Sequence, residues 1–267
     1  MTSKHPAYPL LALIVGLFMG TAQAHSQATL PELLSYAKSG HPGSLQAALR
    51  ATPSDSIRAS SRQSLLIAAM DAEDALAVKA ILHWGVDANE VLRLGQGGET
   101  VEVSPLLYAI SSKASLAVIE QLVASGADVN RPVSGQSPLN FALGIRQYAI
   151  AQYLLRHQAK ADVAEQPGGM TPLISLAMSA NSADDQTLRD LTRQLLAAGA
   201  QVNAKAARQT TALTFAVLGG NPLMVRLLLE AGADVNASNE RGESAITIAK
   251  QKGRHEMVRI LSEFGAQ

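Results

Sequence analysis

The sequence predicts an all-α solenoid in which about seven helix-turn-helix units stack side by side, with β-hairpin fingers between them. The first observation is a period: short apolar blocks that open with Ser or Thr recur every 33 or 34 residues, lengthened to 40 at two places. The second is the pentapeptide GADVN, present at residues 126–130 and again at 232–236. The third is composition, since 47% of the residues are apolar but only 4% are aromatic. A core of Ala, Leu, Val and Ile suits closely stacked helices.

The first 24 residues have the organisation of a cleaved secretory signal peptide. Lys4 precedes an apolar run at residues 10–19, and the small residues Ala22 and Ala24 mark a cleavage site after Ala24. The run is shorter than the ~20 residues that a helix needs to cross a bilayer, so we expect no membrane anchor. The sequence therefore predicts export to the periplasm and a mature domain at residues 25–267.

Each repeat begins with a helix-start signal. Ser104, Ser137 and Thr171 can cap the free amides of a helix, and each is followed by a proline, which fits the first helical position. A second apolar run with helical spacing follows, as at residues 116–123, and Gly126 can end it in a left-handed conformation. These signals place the repeat starts near residues 31, 64, 104, 137, 171, 211 and 244.

A pair of short helices cannot bury its apolar faces alone, whereas stacked neighbours bury them jointly. Within GADVN, we expect the glycine to end a helix, the alanine to pack, and the asparagine to support the finger through local hydrogen bonds. The terminal repeat must turn a polar face outward. Residues 244–267 are rich in charged side chains and are therefore predicted to form the C-terminal cap.

These landmarks resemble ankyrin repeats, which combine a 33-residue period with a TPLH-x-A block and a GADVN-like segment. The resemblance extends from Pro31 to Gln267. It implies a concave face, lined by finger tips and first helices, that binds a protein partner. The sequence is also similar to exported bacterial ankyrin proteins linked to protection against oxidants through a periplasmic catalase, which suggests oxidant defence as its setting.

Two departures from the ankyrin pattern affect the expected structure. The histidine of TPLH is missing from every repeat, and residues such as Asn140, Thr214 and Thr247 stand in its place. Its hydrogen bond toward the finger is expected to be lost or only partly replaced. Gln158 replaces the glycine that ends a second helix, which puts the following hairpin in doubt.

Two insertions of about seven residues interrupt the period. The first, between Asn89 and Ser104, has two alternating runs around a glycine-rich turn and predicts an extended β-hairpin. The second, at residues 178–190, lengthens the link between two helices, and its acidic pair Asp184 and Asp185 suits a helix start. Insertions in repeat proteins often form binding loops, although drift in a surface loop is the alternative.

Composition and motifs disfavour several functions. The balance of 22 basic and 22 acidic residues provides no field that would attract nucleic acid or anionic lipid. The chain has no cysteine, and its six histidines lack metal-binding spacing. The glycines near residue 97 lack the lysine of a phosphate-binding loop, and no nucleophile motif is present. We therefore predict no catalytic residue, no cofactor and no metal.

Recognition of a protein partner is the function that remains after these exclusions. Tryptophan and arginine are over-represented among binding hot spots. For the only tryptophan, packing against the adjacent hairpin is the alternative, and for the arginines it is ordinary solvation. Three aromatic residues at one equivalent position, Tyr108, Phe141 and Phe215, are expected to belong to the core. The candidate contacts are Trp84, Arg93, Arg131, Ile145, Met178, Arg208, Leu218 and Arg241.

We therefore predict a monomeric, non-catalytic binding module in the periplasm that holds a protein partner on its concave face and finger loops. An immunity or inhibitor protein directed against a secreted toxin or enzyme is the alternative. An enzyme is the third class, and it would require turnover by the purified chain alone.

Overall fold

The structure is a computed structural model that describes residues 28–39, 42–95, 101–133, 135–165 and 168–267. The predicted signal peptide, residues 1–24, lies outside this range. The described residues are mainly helical, which confirms the all-α class. The chain divides into a first unit that ends at Val86 and a second unit, Asp87–Gln267. Among the described residues, no helix combines the length and hydropathy that a membrane span requires.

The first unit contains two helix pairs. Helices α1 and α2 contact each other, as do α3 and α4, and the pairs meet through contacts of α1 with α3 and of α2 with α4. The helices are α1 (Leu30–Lys38), α2 (Pro42–Ala51), α3 (Ala59–Asp71) and α4 (Ala75–His83).

The second unit begins with a β-hairpin and continues with five helix pairs. Its strands are β1 (Leu92–Leu94) and β2 (Val101–Val103). The first helices of the pairs are α5 (Pro105–Ser111), α7 (Pro138–Gly144), α9 (Pro172–Ser179), α11 (Ala212–Gly219) and α13 (Ala245–Gln251). The second helices are α6 (Leu116–Ala124), α8 (Tyr148–Arg156), α10 (Asp185–Ala197), α12 (Pro222–Glu230) and α14 (His255–Glu263).

In the second unit, corresponding helices of consecutive pairs pack against each other. Each first helix contacts the first helix of the next pair, from α5 through α13, and each second helix contacts the next second helix, from α6 through α14. Leu106, Ile119 and Leu139 are among the largest side chains that these contacts bury completely. Burial of apolar surface between neighbouring pairs therefore holds the unit together.

The predicted helix caps are present in the second unit. The hydroxyl oxygens of Ser104, Ser137 and Thr171 accept hydrogen bonds from the backbone N–H three residues later, at 3.2, 3.3 and 3.4 Å. A following proline occupies the first helical position in each case. The helix start expected at Ser64 is wrong, because α3 begins at Ala59 and the Ser64 hydroxyl donates to the Ser60 carbonyl within the helix.

The asparagine of GADVN does not act locally, contrary to our expectation. Its side-chain amide donates to the carbonyl at the glycine position of the next pair and accepts from the N–H two residues further on; we call this pair of bonds the asparagine latch. The local bond is made instead by the aspartate, as when Asp128 Oδ1 accepts from the Asn130 N–H at 2.8 Å. The latches join Asn89 to Gly126 and Asp128, Asn130 to Gln158 and Lys160, and Asn203 to Gly232 and Asp234.

Asn236 shows only the accepting half of the latch, from the Gln267 N–H at 3.1 Å, and one other junction of the second unit shows neither bond. Asp162 occupies the latch position of the pair formed by α7 and α8. A carboxylate has no N–H, so it cannot donate to the carbonyl of Gly199 in the next pair. The structure shows no hydrogen bond from the Asp162 side chain to Gly199 or Gln201, both of which are described. This junction therefore depends on its other contacts.

Restoring the latch should stabilise the protein. We expect Asp162→Asn to raise the free energy of unfolding by about 0.5 to 1.5 kcal/mol, because the new amide can bond to Gly199 and Gln201. Urea unfolding followed by far-ultraviolet circular dichroism measures the change. The control is Asp162→Ala, which removes the charge without adding a donor. An equal gain in the alanine variant would show that charge, and not the latch, is responsible.

The finger after Gln158 is formed despite the missing glycine. Gln158 adopts a left-handed conformation with φ 66°, which a glycine would adopt with less strain. Glu165 and Met170 nevertheless pair as an antiparallel bridge further along the segment. The Asn140 amide donates to the Met170 carbonyl at 2.8 Å, so Asn140 does replace the missing histidine link. The Thr214 hydroxyl instead pairs with that of its own cap, Thr211, at 3.2 Å.

Both insertions form secondary structure. The first contains the predicted antiparallel hairpin, in which Leu92, Arg93 and Leu94 face Val103, Glu102 and Val101. Its glycine-rich tip, residues 96–100, lies outside the described residues. The second contains a short 3₁₀ turn and then α10, which at 13 residues is longer than the 9-residue α8 and α12. Asp184 caps α10 by accepting from the Thr187 N–H at 2.9 Å.

Candidate protein-binding surface

Two exposed apolar side chains occupy equivalent positions on neighbouring helices. Met178 and Leu218 each lie seven residues after a cap residue, Thr171 or Thr211, and their side chains are 53% and 41% exposed. Because α9 packs against α11, the two side chains lie on the same face of adjacent helices. Ile145, the residue that follows α7, is half-buried and lies eight residues after its cap Ser137, one position later than Met178 and Leu218 in their repeats. Two of the candidate contacts therefore share one face, and Ile145 lies at the end of the neighbouring first helix.

Two aromatic residues extend this face, and our expectation that they belong to the core is wrong. Phe141 and Phe215 are half-buried, as is Tyr108 at the same position of α5. Positions three or four residues apart share one side of a helix, so Phe141 lies beside Ile145 and Phe215 beside Leu218. The sequence did contain a signal for this position, because Phe141 and Phe215 each lie four residues after the cap of their helix. We call the set the apolar row: Phe141, Ile145, Met178, Phe215 and Leu218.

Arg208 and Arg241 lie on neighbouring fingers. The Glu240 N–H donates to the Arg208 carbonyl at 3.0 Å, which joins the two segments. Both side chains are exposed, and neither forms an ion pair with any other described residue. Their guanidinium groups therefore remain available for carboxylates of a partner.

The other two candidate arginines have partners within the chain. Arg93 pairs with Glu102 across the hairpin at 3.2 Å, and both side chains are well exposed, so the pair contributes little to stability. Arg131 donates to the carbonyl of Asn89 on the preceding finger. Arg131 thus supports the fingers, whereas Arg93 can exchange its partner at little cost.

Trp84 is tied into the first unit. It follows α4 and is half-buried, and its indole N–H donates to the Thr52 carbonyl at 2.6 Å. A buried indole usually needs such a partner. The single polar atom of the tryptophan is therefore engaged in joining the ends of α2 and α4.

The described residues also form a groove between second helices of neighbouring pairs. It lies between α10 and α12, has a volume of about 340 Å³, and is lined by Arg189, Leu196, Leu227 and Glu230 among others. The groove is open and mainly apolar. Within the described ranges, no three His, Asp or Glu side chains are grouped closely enough to hold a metal ion.

Shifted pKa values in the described residues have structural causes. Hydrogen bonds from the Thr187 hydroxyl and N–H lower the pKa of Asp184, which is the cap of α10. Bonds from Thr29 lower the pKa of Glu32 in the same way at the start of α1. Burial, and then the neighbouring charge of Glu120, raise the pKa of Tyr153. These shifts mark helix caps and packing and do not converge on one site.

Comparison with protein families supports the repeat interpretation. A sequence model of one family, described as ankyrin repeats in three copies, matches residues 181–267. This part of the chain runs from the second insertion through α14 and includes Leu218 and both finger arginines. None of the curated proteins compared with the sequence matches it. Residues 181–267 therefore contain ankyrin repeats, which generally mediate protein–protein interaction and are typically non-catalytic.

Proposed function

We propose that the chain is an exported binding module in which all seven helix pairs are ankyrin repeats, stacked as a solenoid. Its partner is a protein that docks on the apolar row and on the neighbouring fingers. The apolar row is the observation that carries the proposal. Met178 and Leu218 leave large apolar side chains in water on two helices that pack against each other, and such patches typically mark interaction sites.

The chemistry of the surface suggests how a partner would be held. Apolar side chains in the middle of an interface supply most of the binding free energy, while charged groups at its rim provide orientation. The apolar row would form the middle. Arg208 and Arg241, which have no internal ion pair in the described part of the chain, would contact carboxylates of the partner at the rim.

Export to the periplasm and a monomeric state are parts of the same proposal. Export rests on the signal-like organisation of residues 1–24. Oxidant defence is the biological setting suggested by the resemblance to exported bacterial ankyrin proteins. No step of this proposal requires a cofactor, a metal, a nucleic acid or insertion into a membrane.

The test is affinity capture from periplasmic extract. The bait is the full chain, expressed in its native host with a C-terminal tag. We expect one protein to be recovered in a stoichiometric amount. The mass of the captured bait reports whether the chain begins at His25, as export predicts. Recovery of an enzyme that the chain inhibits would identify the inhibitor form of the proposal. Turnover by the purified chain, abolished by one side-chain substitution, would overturn it.

A double variant tests the docking surface directly. We expect Met178→Asp with Leu218→Asp to reduce partner recovery at least tenfold, because two charges would have to be desolvated at the centre of the interface. The melting temperature should fall by only a few degrees, since both side chains are exposed, although each new carboxylate lies in the last turn of its helix.

The matched control is Leu76→Asp, which changes an exposed leucine of α4 that is 60% accessible and outside the apolar row. Its partner recovery should equal that of the unmodified chain. Full recovery with the double variant, or an equal loss with the control, would show that docking does not use the apolar row.

A further inference from the structure

The methionines of the described residues differ sharply in exposure. The side chain of Met178 is 53% exposed, whereas Met70, Met224 and Met257 are at most 2% exposed. Met170 is half-buried. The chain contains no cysteine, so no thiol competes for an oxidant. Among the described residues, Met178 is therefore the most exposed methionine.

The position of Met178 gives its oxidation a consequence. It lies on α9, and the other members of the apolar row lie on α7, on the residue that follows α7, or on α11, the two helices that pack against α9. Ser175, one turn earlier, places no large side chain beside it. Met178 is thus the only member of the row that α9 contributes, and a polar group there would divide the row in two.

We propose that Met178 is a site of reversible oxidation by two-electron oxidants such as peroxides. In the reaction, a lone pair of the thioether sulfur attacks one peroxide oxygen, the O–O bond breaks and an S–O bond forms. With hydrogen peroxide, the second oxygen leaves as hydroxide and takes the proton of the sulfur-bound hydroxyl, which releases water. The sulfur is oxidised by two electrons, the peroxide is reduced by two, and the product is methionine sulfoxide.

The sulfoxide changes the surface and not the fold. It replaces an apolar thioether with a strongly polar, hydrogen-bonding group. At an exposed position this costs little folding free energy, but in a docked complex the S–O group would have to be desolvated. Oxidation should therefore weaken docking, and this effect rests on the proposed function. The selective oxidation of Met178 does not depend on the proposed function.

The selectivity is measured on the full chain alone with limiting hydrogen peroxide, followed by proteolysis and mass spectrometry. We expect the peptide that carries Met178 to gain one oxygen, about 16 Da, at least five times faster than those carrying Met70, Met170, Met224 or Met257. A methionine sulfoxide reductase should remove the added mass. Oxidation of Met170 or a buried methionine at the same rate as Met178 would overturn the proposal.

A variant separates the surface effect from general damage. After the same treatment, the unmodified chain should elute earlier from a hydrophobic-interaction column, and Met178→Leu should elute unchanged. Equal shifts for both proteins would mean that oxidation elsewhere is responsible. With the captured partner, oxidation should reduce recovery by the unmodified chain but not by Met178→Leu. Equal recovery by the oxidised and the untreated chain would overturn the effect on docking. The mass spectrometry and the chromatography, which need no partner, would still decide whether Met178 is the oxidation site.

Discussion

Replacing Trp84 with alanine is expected to lower the free energy of unfolding of the first unit by about 2 to 3 kcal/mol. Truncating a core tryptophan costs about 3 to 5 kcal/mol, and the lower value is appropriate here because Trp84 is half-buried. The Thr52 carbonyl would also lose its bond to the indole N–H. Urea unfolding must be followed by circular dichroism, because Trp84 is the only tryptophan and its fluorescence is lost.

The variant Trp84→Phe separates packing from hydrogen bonding. It keeps a smaller aromatic ring in place and removes the donor, so we expect a loss of about 1 kcal/mol, well below that of the alanine variant. If Trp84→Ala unfolds at the same urea concentration as the unmodified chain and yet fails to capture the partner, Trp84 is a contact residue and its internal bond is incidental.

The second large effect is expected from the asparagine latch. Asn130→Ala should cost about 1 to 2 kcal/mol, because it removes the bonds to the Gln158 carbonyl and the Lys160 N–H, at 3.1 and 2.8 Å. In a stack of repeats, stability is approximately the sum of the repeats and of their nearest-neighbour interfaces. The variant should therefore uncouple the pairs on its two sides, seen as a broader unfolding transition.

The control for the latch uses the natural exception in the chain. Asn130→Asp places an aspartate, as at position 162, where a latch is present, so it keeps the acceptor for the Lys160 N–H and removes the donor to the Gln158 carbonyl. Its loss should be smaller than that of Asn130→Ala, because one of the two bonds remains. An Asn130→Asp variant as stable as the unmodified chain would show that the donor half of the latch is dispensable.

Local interactions explain why much of the fold could be predicted. A cap residue, the following proline and the alternation of the first insertion act within a few neighbouring residues, so their patterns are readable directly. The bonds of Ser104 and Ser137 and the β1–β2 hairpin bear this out. The start of α3 was misplaced because its first turn carries no strong cap signal: Arg58 stands at the cap position.

Contacts between repeats could not be predicted in the same way. The amide of Asn130 bonds to residues 28 and 30 positions away, and no local pattern indicates which pair it reaches. The same limit applies to Trp84, whose partner Thr52 is 32 residues distant. For the candidate surface, the sequence named Met178 and Leu218, which are exposed on neighbouring helices, but left out Phe141 and Phe215, since an aromatic residue near a helix start resembles core.

The aspartate at position 162 leaves one junction of the second unit without its latch but not without coupling. Helix α7 packs on α9 and α8 on α10, and the Tyr148 hydroxyl donates to the Ser179 carbonyl at 2.6 Å across the same junction. The backbone around Gly199 and Gln201 is therefore held by fewer bonds than the matching segments of other pairs, and its amides should exchange their hydrogens faster. A partner that bridges α7 and α9 would slow this exchange, so hydrogen exchange at these amides reports whether the surface is occupied.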